Sequence, residues 1–158
     1  MDYLTFKWLH ILSSTVLFGT GIGSAFYLLL ATMRWTVPAL FPQHLGVVLA
    51  DWLSTATTAV LQPLTGWALV RIAQMPWSQP WLAWSVGLYV LAIACWLPVV
   101  WIQHRLRDEA RRCAGAGQPL SRVYWRDFTA WVVLGFVAFF AFLAIFWLMV
   151  TKRVPWAG

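Results

Sequence analysis

Long apolar runs alternate with polar breaks along this chain. The runs lie near residues 4–32, 45–71, 80–103 and 126–150, and "RWTVPALFPQH", "AQMPWSQP" and the charged "HRLRDEARRCAGAGQPLSRVYWRD" separate them. Crossing about 30 Å of hydrocarbon takes roughly 20 residues at 1.5 Å of rise each, and all four runs exceed that. Lipid offers no partner to backbone N–H and C=O groups, so runs of this length must be helical. The pattern predicts an all-α fold: an integral membrane four-helix bundle, with residues 1–158 as one transmembrane domain and no internal repeat.

Polar residues within the runs fall on faces. In the first run Ser14, Leu17, Gly21 and Ser24 follow His10 at offsets of 4, 7, 11 and 14. At 100° per residue these share a meridian to within about 40°. Thr15, Gly19 and Gly23 lie opposite as a small-xxx-small ladder, which predicts a close helix neighbour on that side. In the second run His44, Asp51, Thr55, Thr58, Gln62 and Gly66 keep one meridian, with Thr65 beside it. A carboxylate inside the bilayer costs several kcal/mol by insertion scales. That stripe should therefore face the bundle interior, a partner or water.

Antiparallel helices would set His10 level with Gln62 and Gly66, and Asp51 level with Gly21 and Ser24. If the two faces meet, they enclose one elongated cavity with His10 at one end and Asp51 at the other. Pro63 and Gly66, in "LQPLTG", predict a weakened or kinked outer half of the second helix. The third run carries Ser85, Tyr89 and Cys95 internally. His104 at its end and His44 at the start of the second run read as interface residues. Gly135, Ala138, Ala141 and Ala144 give the fourth run a small-residue packing strip.

Composition sharpens this picture. The chain is 61% hydrophobic and 10% charged, against about 45–50% and 25% in soluble domains. Too few polar residues remain to cover a water-soluble surface. The net charge of +6 makes no case for nucleic acid, because the cations gather at span ends. Arg34, Arg105, Arg107, Arg111, Arg112, Arg122 and Arg126 lie on one side, and Lys7, Arg71, Lys152 and Arg153 on the other. The richer side is expected to be cytoplasmic, which puts both termini in the periplasm if the membrane is a bacterial inner membrane. Trp8, Trp35, Trp77, Trp81, Trp101, Trp125 and Trp147 fall near span ends, where amphipathic rings anchor at headgroups. The first run is longer than the roughly 7–15 residues of a cleaved signal core, so it is expected to remain as a span. Cys95, deep in an apolar run, and Cys113, in a charged loop, predict no disulfide.

"FKWLHILSSTVLFGTG" resembles the first helix of the HemJ-type protoporphyrinogen oxidases and of the wider copper-resistance-protein-D-like membrane group, through Lys7, His10, Phe18 and Gly19. Over nearly the whole chain, "PLTG", "ACWLPVVWIQHRLRDEA" and "AIFWLMVTKR" resemble a large bacterial family of predicted integral membrane proteins without assigned function. The first resemblance implies haem b in the bundle with His10 as its metal ligand. It does not carry over the third-helix residues of those oxidases: Ser85 stands at their lysine position and Cys95-Trp96 at their Tyr-His pair. On the two polar faces, Ser14, Gly21, Gln62 and Thr65 are the residues expected to line a cofactor. A neutral imidazole sheltered by hydrocarbon suits iron.

Three functions stay open from the sequence. One is a haem-binding membrane redox protein, an oxidoreductase if a substrate is turned over, with Asp51 as proton relay and electrons from quinol or another redox partner. Another is an accessory or assembly subunit, whose stripe meets a partner subunit or a second copy and whose Arg-rich loop docks an acidic surface or anionic lipid. The third is a small transporter whose stripe lines a polar path.

Overall fold

Asp2 starts the first helix by accepting hydrogen bonds from the Thr5 backbone N–H at 2.9 Å and its hydroxyl at 2.6 Å, which satisfies an N–H that a helix start leaves unpaired. The computed structural model describes residues 2–34 and 51–155. Among the described residues four α-helices follow one another: α1 (Tyr3–Arg34), α2 (Ala56–Ile72, entered through a π-helical turn at Asp51–Thr55), α3 (Pro80–Gly115) and α4 (Arg122–Thr151). No strand occurs among the described residues. Among the described residues three helices, α1, α3 and α4, are long and apolar enough to cross a membrane, and α2 is shorter at 17 residues. His44, Trp35 and the start of the second predicted run lie outside the described residues, as do the side chains of Arg34 and Asp51.

Residues 104–115, read from sequence as part of a loop, continue α3 to Gly115. The reason is local: Arg, Leu, Glu and Ala favour helix, and Ile102, Leu106, Ala110 and Cys113 repeat at helical spacing as a buried stripe. Thirty-six residues reach about 54 Å, so α3 outruns the hydrocarbon and projects its charged end beyond it. Cys113 is therefore buried on a helix rather than set in a loop, and both cysteines are free. Gly117, at φ +62, closes this helix. Its N–H bonds the Ala114 carbonyl and that of Gln118 bonds Cys113, the paired pattern of a Schellman cap. The same pattern ends α2, but there Gln74 occupies the left-handed position at φ 50.

Ser121 caps α4 by accepting from the Tyr124 N–H, and its own hydroxyl donates to Glu109 of α3. α3 and α4 form an antiparallel hairpin with Leu106, Ala110, Tyr124, Phe128 and Trp131 at its core, joined by Leu28 and Ala31 of α1. At that end Thr32 and Tyr124 share a buried hydrogen bond of 3.0 Å. A second apolar cluster, Val70, Trp81, Leu82 and Leu148, closes the opposite end. Trp81 is thus a core residue under the Lys152 ammonium, 5.9 Å from its ring, and not the interfacial anchor its position suggested. Trp8, Trp77, Trp101, Trp125 and Trp147 are exposed, as anchors should be. Phe26, Leu64, Val90 and Phe140 also face outward, a surface suited to acyl chains.

The Thr15, Gly19 and Gly23 ladder is exposed, and a Cβ at either glycine would meet nothing within 4 Å. Among the described residues no helix packs on it. α2 instead takes the opposite side of α1, where His10 and Ser13 offer hydrogen bonds that lipid cannot.

A polar seam and an apolar cavity as candidate functional sites

The hydrophilic stripe of α2 is buried. Thr55, Thr58, Gln62 and Thr65 each keep only 5–7% of their surface accessible. Leaving these groups in hydrocarbon would cost more than any packing alternative, so α2 turns the stripe toward α1.

Gln62 is the clasp. Its Nε2 donates to the His10 carbonyl at 2.9 Å and to Ser13 Oγ at 2.8 Å. Ser13 Oγ in turn donates to the His10 carbonyl at 3.2 Å. Thr65 Oγ1 lies 2.8 Å from His10 Nδ1. The Thr65 hydroxyl also lies 2.7 Å from the Leu61 carbonyl of its own turn, the usual back-bond of a helical threonine. One arrangement satisfies both contacts: Thr65 donates to Leu61 and accepts from a His10 protonated on Nδ1, which leaves Nε2 with the lone pair. Among the described residues nothing bonds Nε2. Gly66 makes the approach possible: a Cβ there would stand 3.3 Å from His10 Cε1. Expected residues His10, Gln62, Thr65 and Gly66 are therefore brought together.

Ser14 is not in this seam; its hydroxyl returns to the Ile11 carbonyl at 2.7 Å. Ser13, which the sequence reading passed over, takes the role. The signal was present, since position i+3 from a histidine shares its face as well as i+4 does.

Pro63 does not break α2, which runs continuously through it. A proline has no N–H, so the carbonyl four residues earlier, on Ala59, loses its helical partner. The Tyr89 hydroxyl of α3 donates to that carbonyl, replacing the lost bond from a neighbouring helix.

Gly21, Ser24 and Thr55 lie elsewhere, on the wall of a cavity of about 360 Å³ between the α1–α2 pair and the α3–α4 hairpin. His10, Gln62 and Thr65 do not line it. The single elongated cavity expected from the sequence is thus two features, a hydrogen-bonded seam and an apolar cavity, because Gln62 and Thr65 turn their polar atoms onto α1 instead of into open space. No group of three or more His, Cys, Asp or Glu residues able to hold a metal occurs among the described residues.

At the projecting end Asp127 joins two cations: Arg105 at 2.8 Å and Arg126 at 3.1 Å. Arg105 also stacks over Trp101 at 4.7 Å. These contacts pin the α3–α4 hairpin where it leaves the apolar region.

Apolar exterior, long helices and an interior polar seam define an integral membrane protein of helical-bundle type. The chain belongs to the family of predicted integral membrane proteins designated DUF2269, whose model matches residues 4–153. No curated protein and no solved structure matches it.

Proposed function

We propose that this is a haem-binding redox protein of the bacterial inner membrane, multi-pass, with both termini periplasmic and His10 as the residue that would hold the iron of haem b. The observation that supports it most is the state of His10. Thr65 Oγ1 lies 2.8 Å from Nδ1; with Nδ1 as donor the other nitrogen would keep a free lone pair, which is how outer hydrogen bonds prepare a ligating histidine. Lys7, exposed and one helical turn away, would supply a cation for a propionate. Bound haem would supply one-electron transfer. The chain's own part is to hold the imidazole tautomer, orient the ring against Gly66 and exclude water with the apolar surfaces of α1 and α2. Asp51 is proposed as the proton relay.

The arginine-rich end favours the cytoplasmic side for the α3–α4 turn. Within the seam, Gln62 and Thr65 spend their hydrogen bonds on protein atoms, which disfavours a hydrated transport path along the stripe.

The test is the absorption spectrum of the detergent-purified protein, produced with ample haem, beside His10→Ala. The reading expects a Soret band in the wild type that His10→Ala loses. A wild-type protein without the band, or a band unaltered in His10→Ala, would overturn it.

A further inference from the structure

The apolar cavity holds a feature that the haem reading does not use. Among the described residues three buried side-chain polar atoms lack a hydrogen-bond partner: Trp96 Nε1, Trp131 Nε1 and Gln103 Oε1. All three belong to side chains on the wall of this one cavity. Gln103 is 2% and Trp131 6% exposed, so bulk water does not serve them. Leaving a buried donor or acceptor unpaired costs about 1–3 kcal/mol each, and native structures rarely keep such groups without a purpose. Trp96 and Gln103 stand seven residues apart, on one face of α3 and about 10 Å along its axis. Trp131 comes from α4, so two indoles and one amide side chain share this wall.

The rest of the lining narrows the ligand. None of the described lining residues is ionisable, which favours a neutral head: the described wall offers no counter-charge to a carboxylate, a phosphate or a haem propionate. Phe18, Phe139, Phe142 and the two tryptophans present ring faces and edges, which suit a flat π-system. Phe26 and Phe136, also on the wall, are exposed on the outer surface, so the mouth opens toward acyl chains. A volume of about 360 Å³ holds a ring head and leaves a tail to run out into the bilayer.

We propose that this cavity binds a neutral, ring-headed lipid of the quinone class, with Trp96, Trp131 and Gln103 reading its ring oxygens. Indole N–H groups donate to a carbonyl or hydroxyl oxygen. The Gln103 amide accepts from a quinol hydroxyl or, turned over, donates to a quinone carbonyl. Both redox forms therefore fit. His10 takes no part, so the proposal stands apart from haem binding.

The test is isothermal titration of the purified protein in nanodiscs with a ubiquinone bearing one prenyl unit, against empty nanodiscs. Saturable one-to-one binding is expected. Trp131→Phe keeps an aromatic ring and removes the donor, and Gln103→Leu removes the amide; each should weaken binding about ten-fold, the loss of one buried hydrogen bond. Gly135→Leu is the filling variant. A Cβ at Gly135 meets nothing within 4 Å and Gly135 is on the cavity wall, so the added side chain starts in open space, and binding should vanish while helical circular dichroism stays at the wild-type level. Heat no greater than that of empty nanodiscs would overturn the proposal. So would equal binding by Gly135→Leu, or a tightly held phospholipid in the wild type that the quinone fails to displace. Because the readout is quinone heat and not a haem spectrum, this result and the haem result fail separately.

Discussion

Replacing Tyr89 by phenylalanine deletes one oxygen and leaves the ring. The ring is held edge-to-face against Phe142, with centroids 6.4 Å apart, so the change isolates the hydrogen bond to the Ala59 carbonyl. An unpartnered buried acceptor costs about 1–3 kcal/mol. Hydrogen bonds between membrane helices average only about 0.6 kcal/mol, with a maximum near 1.7, because released groups usually find other partners. Ala59 has no such reserve: its helical partner is Pro63, and its surroundings are the apolar cavity wall. The cost should therefore sit near the upper membrane value, about 1.5 kcal/mol, or a fall of roughly 3–6 °C in Tm for a chain of this size. Pro63→Ala gives the N–H back and restores the bond within α2. In that background Tyr89→Phe should cost less than about 0.5 kcal/mol, leaving a coupling of about 1 kcal/mol, above the scatter of independent sites. The assay is thermal unfolding of the four proteins in one detergent, followed by intrinsic fluorescence. Equal losses from Tyr89→Phe in both backgrounds would refute the replacement of a proline-orphaned bond by a neighbouring helix.

Other outcomes follow from the same contacts. Gln62→Leu removes both bonds that clasp α1 to α2 and should lower stability by about 1–2 kcal/mol, measured in the same unfolding assay. Gln74→Gly should stabilise by up to about 1 kcal/mol, because the left-handed position at the end of α2 strains any residue with a Cβ; an unchanged or lower Tm would contradict the cap. Asp127→Ala leaves Arg105 and Arg126 without their shared acceptor and should cost about 1–2 kcal/mol, discounted for their exposure. Its signature is raised protease cleavage at the α3–α4 turn.

The membrane class and the helices were legible because the signals are long and repetitive. The buried stripe of α2 was legible because Thr55, Thr58, Gln62 and Thr65 keep one meridian, and lipid enforces what periodicity suggests. Helix ends were less so: hydropathy falls where charges begin, yet α3 continues to Gly115, since a helix outside the bilayer needs only propensity and a partner face. Side-chain choice among adjacent serines escaped the pattern, as offsets of three and four are equivalent until a partner's reach selects Ser13. The Tyr89 bond needed two helices to be brought together, and neither sequence stretch announces it alone. The three unpaired atoms around the cavity likewise come from separated positions whose convergence is tertiary. Trp81 was misplaced for a related reason, since position near a span end does not say which way the ring points.

The claim that most of the functional reading depends on is the protonation geometry of His10. With only three histidines in the chain, nitrogen NMR of the ¹⁵N-histidine-labelled, haem-free protein in lipid reads it directly. The geometry predicts one histidine fixed with the proton on Nδ1 and a bare Nε2, and loss of that fixed state in Thr65→Val. A His10 protonated on Nε2, or averaging between tautomers in the wild type as in Thr65→Val, would contradict it.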